Sequence, residues 1–133
     1  MPGIVADTHA AVWYLLNSKN LSANAQRVMD ETIAGGDPVY VSSITLVEVV
    51  YLVEKGKLPA IVLDRLTAAL SQSDSGFVIA PLDFSVALAI RQISRETVPD
   101  MPDRIIAATA LGLGFSLITR DSNIRKAGIE TVW

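Results

Sequence analysis

The chain has 133 residues, 50% of them hydrophobic and 19% charged, which excludes an intrinsically disordered protein and suits one domain around a single core. A formal net charge of −3 is not the basic footprint usual in a nucleic-acid binder, and the absence of cysteine removes disulfides and thiolate-bound metals from consideration. With a single histidine, His9, two-histidine ribonuclease chemistry and His-rich zinc sites are both out of reach.

The chain opens with an apolar run, residues 4–6, that has the look of a buried strand ending on Asp7. Residues 8–16 follow directly as a helix. Ser22 is a good N-cap for a second helix that the pair Gly35-Gly36 terminates. Residues 38–41 read as a strand, after which Ser42 or Ser43 caps a helix closed by Lys55-Gly56. Residues 59–71 carry apolar side chains at helical period. A strand over 77–82 leads to Asp83, the cap of a helix spanning 84–96. Residues 97–101 form a loop, and Pro102 fits the first turn of a helix over 103–114. A strand over 115–119, a short helix over 121–127 and a last strand at 131–133 complete the chain.

Strands alternating with helices predict an α/β fold, a sandwich of helices on both faces of a mostly parallel sheet. No internal repeat, linker or low-complexity segment interrupts residues 1–133, so one compact domain is expected. The N-terminus has no basic segment before an apolar one, and no apolar run approaches the roughly 18 residues of a bilayer span. A cytoplasmic protein is the expectation.

Ligands of open parallel sheets collect outside the carboxyl ends of the strands, and acids gather there in this sequence. Asp7 ends the first strand, and Asp121 follows the fourth with Arg120 between. Asp103 opens a helix, with Asp100 about one turn earlier. Glu48 sits among Leu46, Val47, Val49 and Val50 in the helix after the second strand. Each acid has a plain structural reading as well. Asp121 can be a simple N-cap, Asp103 a favourable charge in a first helical turn, and Asp7 a turn residue. Glu48 can belong to a solvated stripe with Thr45, Tyr51 and Lys55. Taken together, converging carboxylates without counter-ions repel one another, and a hard divalent cation such as Mg²⁺ or Mn²⁺ relieves that cost.

Four segments carry a resemblance: IVADTHAAVWYL at the N-terminus, SSITLVEV around Glu48, PDMPDRIIAATA around Asp103, and LITRDSN around Asp121. In this order and at these separations the chain resembles the PIN-domain ribonucleases, and more narrowly the VapC-type toxins of toxin–antitoxin pairs. The resemblance covers essentially the whole chain. It implies a PIN-like three-layer sandwich and a Mg²⁺- or Mn²⁺-dependent endoribonuclease. It also implies that Asp7 and Asp103 are the main metal ligands, that Asp121 helps directly or through water, and that Glu48 orients or activates a water. Asp100 matches an auxiliary acid, and Thr8 and Thr119 match hydroxyl positions that hydrogen-bond the acids.

With the five candidate acids set aside the rest of the chain is mildly basic, and Arg104 and Arg120 lie beside the site in sequence as candidate phosphate ligands. Arg125 and Lys126 share that position; all four can equally be helix-surface charges. The resemblance further implies an RNA substrate, a cognate antitoxin that covers the site, and a homodimer. Two rival readings stand beside it. A phospho-acceptor signalling domain would want paired acids after the first strand and a lysine after the last major one, whereas Asp7 stands alone and Arg120-Asp121 follows here. A catalytically silent PIN-fold interaction module would need no acids at all.

Overall fold

A computed structural model describes residues 3–133. Five strands form one sheet: β1 (Ile4–Ala6), β2 (Val39–Ser42), β3 (Phe77–Ala80), β4 (Leu117–Ile118) and β5 (Thr131–Val132). They lie in the order β3-β2-β1-β4-β5, and every pairing is parallel. The chain therefore winds from β1 outward to β2 and β3, then returns to the other side of β1 for β4 and β5. The reversal falls between β1 and β4, where a crevice opens beyond the strand ends.

The helices are α1 (Thr8–Leu15), α2 (Ala23–Ala34), α3 (Ser43–Glu54), α4 (Ala60–Ser71), α5 (Phe84–Ala89), α6 (Met101–Leu113) and α7 (Ser122–Lys126). Side chains alternate across a strand, and the central strands split their residues accordingly. Ile4, Ala6, Val39, Val41 and Ile118 pack with Val12, Met29, Val49 and Leu66 of α1 to α4. Val5 and Leu117 pack on the opposite face with Val86, Ile106 and Ile124 of α5 to α7. A sheet covered on both faces explains why its central strands read as continuous apolar runs. The expected three-layer α/β sandwich is the observed one.

Local signals account for most boundaries. The Ser22 side chain accepts from the Ala25 amide, and Ser42, rather than Ser43, caps α3. Gly114 ends α6 with φ of 73°, a left-handed conformation that costs glycine nothing.

The helix expected over 84–96 departs from this pattern. The α-helix stops at Ala89, a 3₁₀ turn covers Ile90–Gln92, and Ile93 is extended. The stop coincides with contacts from far away in sequence. Arg104 of α6 donates through Nε and Nη2 to the carbonyl of Ile93 at 3.2 and 2.8 Å, and through Nη2 to that of Ile90 at 3.0 Å. Freed helical carbonyls need partners when partly buried, and a guanidinium supplies donors in a fixed fork.

Candidate active site

Three helices begin around the crevice, and three of the expected acids sit at their starts. Asp7 leaves β1 and caps α1: its amide donates to the Ile118 carbonyl at 3.0 Å, and its Oδ1 accepts from the Ala10 amide at 2.8 Å. Asp100 caps α6, its Oδ2 accepting from the Asp103 amide at 3.1 Å. Asp121 caps α7, its Oδ1 accepting from the Asn123 amide at 2.8 Å. The buried Thr119 hydroxyl in turn accepts from the Asp121 amide. Asp103 occupies the first turn of α6. Capping and clustering are therefore one arrangement: each cap engages one carboxylate oxygen with a helix-start amide.

Glu48 reaches the same edge from α3. The Thr8 hydroxyl donates to Glu48 Oε1 at 2.5 Å and lies 3.0 Å from the hydroxyl of Thr45. Because a hydroxyl has one proton, Thr8 spends it on Glu48 and Thr45 donates to Thr8. Thr45 is fully buried, whereas Tyr51 is 58% exposed. The stripe of Thr45, Glu48, Tyr51 and Lys55 thus grades from core to solvent, and Glu48 stands at its middle with a fixed rotamer.

The electrostatics are those of acids without counter-ions. Among the described residues the one ion pair joins Arg27 to Glu31, remote from the cluster. Asp103 is pushed up to about 7, first by loss of solvent and then by Asp100, Asp121, Glu48 and Asp7. Burial raises Asp7 as well, although the Thr119 hydroxyl, the Ala10 amide and His9 pull the other way. Glu48 is raised by burial and by Asp100 and Asp7, against the opposing bond from Thr8. This donor set is all oxygen, anionic and partly dry, which is what a hard divalent cation selects. Among the described residues no three acids close on a single point tightly enough to enclose an ion unaided.

A cleft of about 190 Å³ is lined by Asp7, His9, Asp103, Arg120, Asp121 and Trp133. Glu48 faces the neighbouring groove instead, with Ile44, Val47, Tyr51, Leu52 and Met101. The site is thus two adjoining compartments, one acidic and one mainly apolar, with Glu48 on the wall of the second.

A PIN-domain family model matches residues 4–130. The chain belongs to the PIN-domain family. This PIN domain is 27% identical to Ribonuclease VapC22 of Mycobacterium tuberculosis over 126 residues, covering 94% of this chain and 92% of that protein. Its fold is similar to that of VapBC2 from Rickettsia felis, crystallised with a DNA fragment from its promoter. The TM-score is 0.73 at 16% identity, over 98% of this chain and 97% of that one. It is also similar to FitAcB from Neisseria gonorrhoeae, with a TM-score of 0.65 and 26% identity, over 98% and 96% of the two chains.

Within the PIN domain the structure gathers Asp7, Asp103 and Asp121 in one cleft and sets Asp100, Glu48, Thr8 and Thr119 around it. Arg104 is placed differently from the others: its Nε and Nη2 donate to the Ile90 and Ile93 carbonyls, so it ties α6 to the 3₁₀ turn that follows α5. Arg120 does line the cleft. Sequence reasoning passed over Trp13 and Trp133, and placed Thr45 only in a solvated stripe beside Glu48. Thr45 had a usable signal, three residues before Glu48 on the same helical face. Trp13 and Trp133 are 120 residues apart, and nothing local announces that their rings meet at 6.0 Å.

Proposed function

We infer that this PIN domain is a Mg²⁺- or Mn²⁺-dependent endoribonuclease, the toxin of a VapBC-type toxin–antitoxin pair. The observation that carries the reading is the acid cluster at the β1–β4 crevice, with Asp103 raised to about 7 and, among the described residues, no ion pair to any of its acids. The relationship to a ribonuclease over 94% of the chain supports the same activity.

Asp7 and Asp103 would hold the ion, with Asp121 contributing directly or through water. When bound, the divalent ion supplies Lewis acidity toward the phosphodiester and makes water acidic enough to attack it. Asp7 and Asp121 need little reorganisation for this, since each is already fixed through one oxygen by a helix-start amide. Glu48 is oriented by Thr8 at Oε1 and would orient or activate a water at the edge of the cleft. Arg120, on the rim of the cleft, holds a phosphate of the strand. Attack in line leaves a 5′-phosphate and a 3′-hydroxyl, and the RNA 2′-hydroxyl takes no part.

A cognate antitoxin is the protein partner. The groove beside Glu48 supports this, because exposed Val47, Tyr51 and Met101 offer apolar surface next to the acids. The VapBC2 neighbour was crystallised on a promoter fragment, which agrees with a partner that binds DNA. We place the working protein in the cytoplasm as a homodimer of single-domain chains. Among the described residues no helix is long and apolar enough to cross a membrane.

The deciding experiment incubates the purified protein with RNA in Mg²⁺, in EDTA, and in EDTA after Mg²⁺ is restored, and identifies the new ends. Cleavage that stops in EDTA, returns with Mg²⁺ and leaves 5′-phosphates is expected. Cleavage indifferent to EDTA would overturn the metal mechanism. Absence of both cleavage and calorimetric ion binding would favour a silent interaction module.

A further inference from the structure

The acids account for only half of the cleft lining; the remainder is His9, Arg120 and Trp133. These three are organised by one residue that does not line the cleft. Trp13, on the second turn of α1, has the His9 ring at 5.1 Å and the Trp133 ring at 6.0 Å between centroids. The Arg120 guanidinium carbon lies 4.9 Å from the Trp13 ring centre. One partly buried indole therefore braces an imidazole, a second indole and a guanidinium, all of which open on the acidic cleft.

A purely structural purpose covers only part of this. The Trp13–Trp133 contact fastens the segment after β5 to α1, and that alone would justify two tryptophans. It does not need His9 or Arg120, both of which are exposed. Arg120 is the more telling. It borders a cleft shared with Asp7, Asp103 and Asp121, yet among the described residues it forms no ion pair with any of them. Among the described residues it makes no hydrogen bond there either. The cation–π contact with Trp13 holds the guanidinium in place while, among the described residues, its N–H groups have no hydrogen-bond partner, an arrangement suited to phosphate.

We propose that His9, Trp133 and Arg120 form a nucleotide subsite beside the acidic cluster, with the base stacked on His9 and Trp133 and the adjoining phosphate on Arg120. The inference rests on the nuclease reading and adds to it which residues grip the substrate next to the cut. Trp13 is a positioning residue: it acts on the nucleotide only through the three that it braces. Rings accept any base by its π face, so the subsite fixes the strand without selecting its sequence, and it requires that base to be unpaired.

The test measures binding apart from cutting. In an Asp103→Asn background, an unstructured RNA oligonucleotide is titrated in Mg²⁺ and followed by quenching of tryptophan fluorescence and by anisotropy of a terminal dye. His9→Ala and Trp133→Ala are each expected to raise the dissociation constant about five-fold or more. Trp133→Phe, which keeps a ring and the fastening of the chain end, should restore most of the affinity. A single abasic nucleotide, moved along the oligonucleotide, should at one position weaken binding to the parent and erase the penalty of both alanine variants. Unchanged binding by His9→Ala and Trp133→Ala, or a penalty that persists at every abasic position, would overturn the subsite. The two readings fail separately. Cleavage by the unsubstituted protein with neutral aromatic variants sinks the subsite alone, whereas ring-dependent binding without any cleavage sinks the nuclease reading alone.

Discussion

The end of β3 and the ends of β1 and β4 are built from the same local parts and behave in opposite ways. After β3, Asp83 caps α5: its Oδ1 accepts from the Val86 amide at 3.0 Å and from the Ser85 hydroxyl at 2.9 Å. Those bonds hold its carboxyl below the ordinary aspartate range. At the β1–β4 crevice, caps and first-turn acids of the same kind include Asp103, raised to about 7. Helix dipole and capping favour a negative charge in both places. The difference is burial and company. Asp83 stands alone and exposed beyond an edge strand, whereas the chain reversal between β1 and β4 brings several acids into one partly dry crevice. Sheet topology, more than the residue or its local motif, decides which aspartate is ordinary.

The sharpest way to break this contrast is a matched pair of substitutions. Asp103→Asn should lower RNA cleavage about a hundred-fold or more. The same change should raise the melting temperature of the metal-free protein above pH 7, because it removes a repelled charge. Asp83→Asn should leave cleavage essentially unchanged and lower the melting temperature slightly. Loss of cleavage from Asp83→Asn, or full activity after Asp103→Asn, would erase the distinction.

Metal-free stability against pH is the next measure. Asp103 has its folded pKa near 7 against a reference of 3.8, so between these values the native state holds a proton that the unfolded chain has lost. Its contribution is full below the reference value and is lost as pH rises through about 7. Asp7 and Glu48 are shifted in the same direction. The metal-free melting temperature should therefore fall as pH is raised from about 4 to about 7. Saturating Mg²⁺ binds the ionised acids, so its stabilising shift should be larger at pH 8 than at pH 5. A Mg²⁺ shift independent of pH would argue that the raised acids do not meet the ion.

The smallest effect concerns Arg104. Arg104→Ala should cost about 2 kcal/mol in denaturant unfolding, from charged hydrogen bonds to the Ile90 and Ile93 carbonyls. The KM for RNA should stay near that of the parent. A KM raised with stability intact would return Arg104 to the substrate site.

The alternation of elements was legible because each strand is an apolar run closed by a polar cap, as with Ile4–Ala6 before Asp7. The four acid-bearing segments could be read for the same reason, since each acid stands at a strand end or in a helix turn. The break at Ile90 could not be read, because residues 84–96 contain no glycine or proline and the carbonyls at the break are met by a guanidinium eleven residues past Ile93. The aromatic brace was hidden similarly. Trp13 meets Trp133 only after β5 joins the sheet beside β4.

The helix starts at Asp7 and Asp121 carry a further consequence for substitution. Each aspartate is short enough to cap its own helix through Oδ1 while still lining the cleft. Lengthening either side chain by one methylene, as in Asp7→Glu, keeps the charge and fails at both tasks together. The longer carboxylate overshoots its amide, and the oxygen it offers swings away from where the shorter one pointed. Charge conservation is therefore a poor guide to tolerance here; reach is the better one.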